Sequence, residues 1–271
     1  VVQTALERNR KKYDLQSKQL KGTEKRDKYK VYGELINPYG YKLAPGSKEL
    51  TALNYYTNEE ITIPLDPTQT PGENAQRYFA KYNKQKRTFE ALTELIQETA
   101  DDIQYLESIS NALDIALSEA DLAQIKEELM QSGYVRRKHT KKKVKLTSKP
   151  MHYISSDGYD MYVGKNNLQN EELTFSFANG NDWWFHAKGA PGSHVIVKSG
   201  GDELPDRTFE EAGRLAAYYS KNRGSDKVEI DYIQKKHVKK PNGAKPGFVV
   251  YYTNYSLVID SDISNIKNVQ D

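Results

Sequence analysis

The chain has 271 residues, with 40 Lys and Arg against 37 Asp and Glu, and no cysteine. The missing cysteine excludes disulfides, thiolate metal sites and a cysteine nucleophile, and no apolar run approaches the ~18 residues of a membrane span. With a mean hydropathy of −0.82 and 37% apolar residues, the chain is too polar for one compact globule. This composition predicts a smaller globular domain plus a solvent-exposed helical element.

The net charge of +3 hides an uneven distribution. Residues 1–135 carry 18 basic and 21 acidic side chains, residues 136–149 carry eight basic and no acidic ones, and residues 150–271 carry 14 and 16. Such asymmetry predicts a polyanionic partner. No signal peptide is visible and Val1 already lies inside a helical pattern, so we expect the chain to be part of a longer protein.

The first part of the chain shows a helical pattern followed by a small β element. Apolar residues at alternating steps of four and three predict one helix over residues 1–31. Two short runs of β character, 52–56 and 60–64, are close enough to form a hairpin. We expect them to form a β tip at about 33–69.

A second, long helix has clear start signals. Thr70, Pro71 and Glu73 match a capping box with proline at the first helical position, and a heptad pattern follows over residues 92–117. Two heptad helices joined by a small tip predict a long antiparallel helical coiled-coil arm over residues 1–135.

A basic segment separates this arm from the rest of the chain. A short helix, capped by Ser118 and ended by Gly133, precedes it, and residues 136–150 form the basic linker. A basic run is commonly a solvated connector, and it is also a common phosphate contact. Both interpretations stay open at this point.

Residues 151–260 predict a compact α+β domain, and residues 261–271 a tail. Asp157-Gly158 marks the turn of its first hairpin, and Thr208 with Glu211 predicts a capping box. The predicted elements, in chain order, are a hairpin at 153–163, a helix at 166–178, strands at 183–186 and 195–198, a helix at 208–222, and strands at 228–233 and 248–252, the last two joined by a lysine-rich connection at 235–247.

The segment 182–198 holds both tryptophans and two of the five histidines of the chain. Aromatic side chains beside His and Lys can stack bases and contact phosphates of single-stranded RNA, although aromatics more often pack in a core. Side chains alternate along a strand, so Trp184 and His186 should lie on the opposite face from Trp183 and Phe185. One tryptophan is therefore expected in the core even if the other stacks on a ligand.

Chemical alternatives for this segment are weak. Asp182, His186 and His194 match no known metal-ligand spacing. Ser193 and His194 are adjacent, so on a strand they point to opposite faces and make a poor nucleophile pair. The glycines at 189–192 lack the Gly-Lys-Ser/Thr of a P-loop. We expect no catalysis, no metal and no cofactor.

Three motifs in a fixed order carry a resemblance to a known family. Asp182-Trp-Trp-Phe-His186, Pro191-Gly-Ser-His194 and the lysine-proline-glycine run at 239–247 resemble the RNA-binding (NFACT-R) domain of the NFACT family, and the Gly164–Asn170 stretch also fits. The segment 65–83 is similar to the coiled-coil middle of the same family. The resemblance covers residues 1–255 and implies an NFACT-R domain over 151–260 behind the coiled coil.

The resemblance also implies a function. NFACT proteins act in ribosome-associated quality control, where they bind the large ribosomal subunit and tRNA and support addition of an alanine tail to stalled nascent chains. Peptide transfer then belongs to the ribosome, which agrees with a chain that is not an enzyme. The resemblance further leads us to expect that the N-terminal NFACT-N and helix-hairpin-helix parts of the family are missing from this sequence. The oligomeric state is left open.

A second partner follows from the same resemblance. The match is to the fibronectin-binding protein A-like branch of the family, whose streptococcal members are also described as surface adhesins that bind fibronectin. The implied location is therefore the cytoplasm, with the cell surface as the alternative, and no membrane insertion is expected. Fibronectin modules can be bound by strand addition at an open sheet edge, for which the tip hairpin or an edge of the C-terminal sheet would serve.

The RNA hypothesis assigns a task to each group of side chains. Basic residues would neutralise phosphates, and aromatic residues would stack on bases. The predicted nucleic-acid contacts are Arg136, Arg137, Lys138, Lys141, Lys142 and Lys143 in the linker, Trp183, Trp184, His186 and His194 in the aromatic segment, and Lys188, Lys198, Lys235, Lys236, Lys239, Lys240 and Lys245 along a second basic edge.

Overall fold

The computed structural model describes residues 1–136 and 148–269. The chain divides into two compact units, a helical unit of Arg8–Asp102 and a sheet unit of Val1–Glu7 with Ile103–Asp271. The division falls inside a helix and not at the basic linker. Residues 103–135, expected to belong to the arm, therefore belong to the sheet unit.

Three helices form most of the helical unit: α1 (Val2–Lys21), α2 (Arg26–Tyr39) and α3 (Pro71–Ile115). The prediction of one helix over 1–31 is wrong, because the chain leaves the α-helix between α1 and α2. There the hydroxyl of Thr23 donates to the carbonyl of Leu20 at 2.6 Å, a local bond that competes with the helical ladder.

The helical unit has the antiparallel arrangement expected of its helices. The guanidinium of Arg26 lies 4.0 Å from the ring centre of Phe89, and Gly33, further along α2, faces the ring of Phe79, which lies earlier in α3. A residue later in α2 thus contacts a residue earlier in α3, so the two helices run in opposite directions.

The tip hairpin and the start of α3 agree with the local sequence signals. Strands β1 (Glu49–Asn54) and β2 (Glu59–Pro64) pair in antiparallel fashion. The amide of Thr70 donates to the Glu73 carboxylate at 2.7 Å, and the amide of Glu73 donates to the Thr70 hydroxyl at 3.2 Å. The predicted capping box is thus present where α3 begins.

The heptad pattern of α3 describes only part of the helix. Leu92 and Leu106 are buried, but Leu113 is 40% exposed, and Leu117, 82% exposed, lies beyond the end of α3. In the sheet unit, α3 instead buries Tyr105, Leu106, Ile109 and Ala112 against α4 (Glu119–Gln131) and the first residues of α1. A helix that packs against several elements buries a wider face than a two-stranded coiled coil does.

Polar side chains join α4 to the start of α5 (Asn167–Glu172). Asn166 and Gln169 both donate to the side-chain oxygen of Gln124, at 2.8 and 2.7 Å. The ammonium of Lys165 lies 3.2 Å from the buried carboxylate of Asp121. These buried contacts explain why α4 belongs to the sheet unit.

A seven-stranded antiparallel sheet forms the centre of the sheet unit, in the order β8-β7-β5-β6-β4-β3-β9. The fold class is confirmed: a long helix and a small hairpin accompany a compact α+β domain. The strands are β3 (Met151–Ile154), β4 (Asp160–Val163), β5 (Trp183–Ala187), β6 (Val195–Val197), β7 (Val228–Gln234), β8 (Tyr255–Ile259) and β9 (Lys267–Asn268).

Two predictions for the end of the chain are wrong. The last long strand is β8, whereas within 248–252 only Val250 makes an isolated bridge, to Lys239. The expected tail contributes β9, which pairs with β3, and a buried Ile266. Strand β9 pairs with a strand more than 100 residues earlier in the chain. Such distant pairing leaves no local sequence signal that distinguishes a strand from a loop or a tail.

The capping box predicted at Thr208 is also wrong. Helix α6 spans Asp206–Tyr218 and begins directly after Pro205. The Thr208 hydroxyl donates instead to the carboxylate of Asp157 at 2.8 Å, and the Glu211 carboxylate accepts from the amide of Ser156 at 2.8 Å. The pair ties α6 to the β3–β4 turn.

The two sheet faces are buried by different elements. One face packs Phe185, Val195 and Val197 against α6. The other packs Trp184, Ile196 and Ile233 with Leu173 and Val238. Among the residues that the structure describes, no helix is both long enough and apolar enough to cross a membrane.

Candidate nucleic-acid interface

The aromatic segment follows the predicted alternation along β5. Trp183 packs edge-on against Phe209 of α6 at 4.9 Å between ring centres. Trp184 is fully buried on the other face, where its ring centre lies 5.1 Å from both His194 and Tyr251. Trp183 is only half-buried, and Trp184 is the core tryptophan.

A cavity of about 290 Å³ opens next to Trp184. Its walls come from β5, the Gly189–Gly192 turn, the 247–251 segment and the C-terminal part of α3. The side chains that line it include Glu107, Asn167, Trp184, His186, His194 and Tyr251. The cavity lies entirely within the sheet unit.

Both histidines of the cavity are neutral at physiological pH. Burial lowers the pKa of His186 to about 4, and burial followed by the proximity of His186 lowers the pKa of His194 well below its usual value. The Nδ1 atom of His194 shares a hydrogen bond of 2.8 Å with the Thr174 hydroxyl. These rings offer flat surfaces and hydrogen bonds, but no positive charge for a phosphate.

A close fit beside the cavity depends on Gly164. A Cβ there would meet the side-chain oxygen of Asn170 and lie 2.9 Å from its backbone nitrogen. The same side-chain oxygen accepts from the amide of His194 at 3.0 Å.

We expect Gly164→Ala to lower the free energy of unfolding by about 2 kcal/mol, because the methyl overpacks this contact and breaks the bond to His194. Urea denaturation followed by circular dichroism measures the change. Gly180→Ala is the matched control, since its Cβ would meet only the Cβ of Lys236 at 3.6 Å. Equal losses in the two variants would contradict the packing explanation.

The predicted lysines of the second basic edge fall into three groups. Three of them have acidic partners: Lys188 pairs with Glu229, Lys198 with Asp182, and Lys240 with Glu171. Lys245 places its ammonium 4.6 Å from the ring centre of Tyr105. Among the residues that the structure describes, Lys235, Lys236 and Lys239 have no acidic partner.

The three lysines without acidic partners lie on the segment 235–239, the first part of the lysine-rich connection, where backbone hydrogen bonds hold the chain in place. The amide of Lys235 donates to the carbonyl of Asp182 at 2.8 Å, and the amide of Lys236 donates to the carbonyl of Gly180 at 3.0 Å. Lys239 exchanges two backbone bonds with Val250, at 3.0 and 2.8 Å. Their ammonium groups therefore project from fixed backbone positions.

Gly247 closes this connection against α5. It has a φ of +80°, and a Cβ would lie 2.9 Å from the side-chain oxygen of Asn167. Its amide donates to the Glu171 carboxylate at 3.3 Å, the group that also pairs with Lys240. A glycine is required here for both conformation and space.

The remaining predicted contacts divide between exposed and undescribed positions. Arg136 is exposed at the end of the first described range. Arg137, Lys138, Lys141, Lys142 and Lys143 lie outside the described residues.

Asp182, the weak metal-ligand candidate, has a structural role. Its carboxylate accepts hydrogen bonds from the amides of Asn179 and Ser199 at 2.7 and 3.1 Å, in addition to pairing with Lys198.

Two family models together match nearly the whole chain. Residues 1–148 match the NFACT N-terminal and middle domains, and residues 149–252 match the NFACT protein RNA binding domain. The chain belongs to the NFACT family. Its second match covers the lysine connection and most of the residues that line the cavity.

Curated NFACT relatives are similar over the full chain. The protein named Rqc2 homolog RqcH from Streptococcus pneumoniae serotype 2 (strain D39) is 42% identical over 270 residues, which are 99% of this chain and 48% of the relative. The protein of that name from Bacillus subtilis (strain 168) is 40% identical over 264 residues, 96% of this chain and 46% of the relative. The chain thus spans about half the length of these relatives.

A solved NFACT structure has the same fold. The C-terminal part of the fibronectin/fibrinogen-binding protein from Streptococcus suis matches with a TM-score of 0.75 at 38% identity, over 98% of this chain and 94% of that chain. The chain therefore shares its fold with a protein that is named for binding fibronectin and fibrinogen.

Sequence reasoning missed a buried carboxylate in the sheet unit. Glu128 is fully buried and accepts from the Tyr105 hydroxyl at 3.0 Å and from the Asn167 amide at 2.9 Å. Its Oε2 atom has no partner among the described residues. Burial raises the pKa of Glu128 to about 7. Because α4 has the pattern of an ordinary amphipathic helix, its sequence carries no signal that this carboxylate is buried.

Proposed function

We propose that this chain binds RNA of the large ribosomal subunit together with tRNA, as part of a ribosome-associated quality control factor that supports alanine tailing of stalled nascent chains. The observation that carries the proposal is the connection 235–239, where three lysines lie on a fixed backbone without acidic partners among the described residues. Lys239 bonds to Val250, whose two chain neighbours line the aromatic cavity. Lysines in such a position can contact phosphates without first giving up an ion pair.

The family comparison supports this assignment at the level of RNA. The region that holds the connection matches an RNA-binding domain, and relatives of the whole chain are named RqcH. In this proposal the chain contributes binding and positioning, and the ribosome carries out peptide transfer.

Binding of the intact chain to large ribosomal subunits and to tRNA tests the proposal. We expect the chain to sediment with large subunits and to retard tRNA in a gel at about 0.1 M salt, and both interactions to weaken steeply as salt is raised. A folded chain that binds neither under these conditions would overturn it.

The basic linker gives a separate expectation. Replacing Arg136, Arg137, Lys138, Lys141, Lys142 and Lys143 by alanine should lower the salt slope of tRNA binding by about 4, because each lost phosphate contact removes roughly 0.7 from the slope on single-stranded RNA. The charge-preserving variant Arg136→Lys/Arg137→Lys should keep the original slope. An unchanged slope in the alanine variant would remove the linker from the interface.

A second candidate function, fibronectin binding, is supported by strand β8. It is an edge strand of the sheet, and Tyr255 and Val258 on it are 61% and 62% exposed. An exposed, partly apolar edge suits strand addition by an extended partner segment. The name of the structurally similar streptococcal protein points the same way.

Binding of the chain to immobilised fibronectin tests this second candidate function. If β8 is the site, Val258→Lys should weaken binding of the chain at least tenfold, because a charge on the edge opposes strand addition. Added tRNA should not compete. Binding that survives Val258→Lys but is displaced by tRNA would assign the interaction to the basic surface instead.

A further inference from the structure

Aromatic side chains surround the cavity beside Trp184: His186 and Tyr251 are partly exposed to it, and the Trp184 ring is fully buried. Trp184 stacks on His186 with ring centres 5.7 Å apart and 16° between planes, and His194 and Tyr251 meet Trp184 edge-on or tilted at 5.1 Å. At about 290 Å³ it lies at the small end of ligand pockets, which span roughly 300–1,000 Å³. The size suits one planar ring system and not a whole nucleotide.

The charged side chains are placed so that an uncharged base is favoured inside the cavity and its phosphate outside it. Among the described residues that line it, Glu107 has the one acidic side chain, and both histidines are neutral. The cations lie outside the lining, with Lys245 two residues before the lining residue Gly247. A phosphate is therefore favoured outside the cavity, and an uncharged group is favoured inside it.

The polar groups of the wall suit a nucleobase. The Nε1 atom of Trp184 is buried and has no hydrogen-bond partner among the described residues, and a buried N–H without an acceptor is costly. A base edge that displaces the groups now covering this atom would supply an acceptor for it. An exocyclic amino group would suit the Glu107 carboxylate, which lies 3.6 Å from the ammonium of Lys221 and has several acceptor positions.

We propose that this cavity binds a single unpaired nucleobase that carries an exocyclic amino group, with the attached phosphates held by lysines outside it. The inference rests on the proposed RNA-binding function and names the part of RNA that the domain would recognise. Flipped or unstacked bases are commonly read by stacking on aromatic side chains and by hydrogen bonds to their edges.

Nuclear magnetic resonance of the intact chain tests the proposal through its two indole N–H signals, which Trp183→Phe assigns. We expect adenosine, AMP and CMP to move the Trp184 signal, adenosine as effectively as AMP, and UMP to bind at least tenfold more weakly. Glu107→Gln should reduce the preference for AMP over UMP at least threefold.

Three outcomes would overturn the base pocket: no movement of the Trp184 signal at millimolar nucleoside, equal binding of UMP and AMP, or stronger binding of tetramethylammonium than of adenosine, which would indicate a cation cage. Trp184→Phe keeps an aromatic six-membered ring and removes the N–H, so it should weaken adenosine binding tenfold while tRNA retardation by the lysines persists. If the chain does not bind tRNA at all, the proposed function fails, and the nucleoside titration still reports on the cavity independently.

Discussion

Trp184→Ala should lower the free energy of unfolding of the sheet unit by about 4 kcal/mol, the largest effect that we expect from a single substitution. The indole is fully buried and contacts His186, His194 and Tyr251. Its removal leaves a void that merges with the adjacent cavity. Water that enters this void cannot replace the lost apolar contacts.

Trp183→Ala provides the matched control, because it removes the same side chain from the adjacent position on the opposite face. Trp183 is half-buried, so we expect a loss of roughly 2 kcal/mol. Urea denaturation followed by circular dichroism measures both variants without using tryptophan emission. A larger loss for Trp183→Ala would contradict the assignment of Trp184 as the core residue.

Glu128→Gln should raise the free energy of unfolding at pH 8 by up to about 3 kcal/mol. The pKa of Glu128 rises from 4.5 to about 7 on folding, so the folded state binds its proton more tightly than the unfolded state. The stabilisation from the neutral carboxyl is complete below pH 4.5 and is lost as the pH rises through about 7. Glutamine stays neutral over this range and keeps a carbonyl to accept from Tyr105 and Asn167.

Denaturation curves between pH 4 and pH 8 check this expectation. The wild-type chain and Glu128→Gln should differ little below pH 4.5, and their difference should grow from there to pH 8. Glu127→Gln on the same helix is the control, because Glu127 is only half-buried and its carboxylate accepts from Gln131 at 3.2 Å. A constant difference at every pH would show that Glu128 does not titrate on folding.

Local sequence signals predicted the elements whose determinants are themselves local. The capping boxes at Thr70 and Ser118 are present, and the alternation of Trp183 and Trp184 follows from strand geometry alone. The helix predicted to start at Thr208 was misplaced because Thr208 and Glu211 bond to a turn some 50 residues away. The pairing of β9 depends on a similarly distant strand.

The candidate interface was predictable in composition but not in detail. The lysines stand out in the sequence, but their acidic partners lie far away along the chain, as Glu171 does from Lys240. The sequence therefore could not separate Lys240 from Lys239. The neutral state of His194 was equally hidden, because it depends on burial beneath segments from other parts of the domain.

The salt dependence of tRNA binding tests the central claim most directly, that this NFACT domain binds RNA through the lysines of its 235–239 connection. Lys235→Ala/Lys236→Ala/Lys239→Ala should weaken tRNA binding at least tenfold at about 0.1 M salt and lower the salt slope by about 2. Lys126→Ala/Lys227→Ala/Lys267→Ala removes the same charge from exposed positions of the same unit and should leave the slope nearly unchanged. Equal slopes and affinities for the two triple variants would contradict the claim.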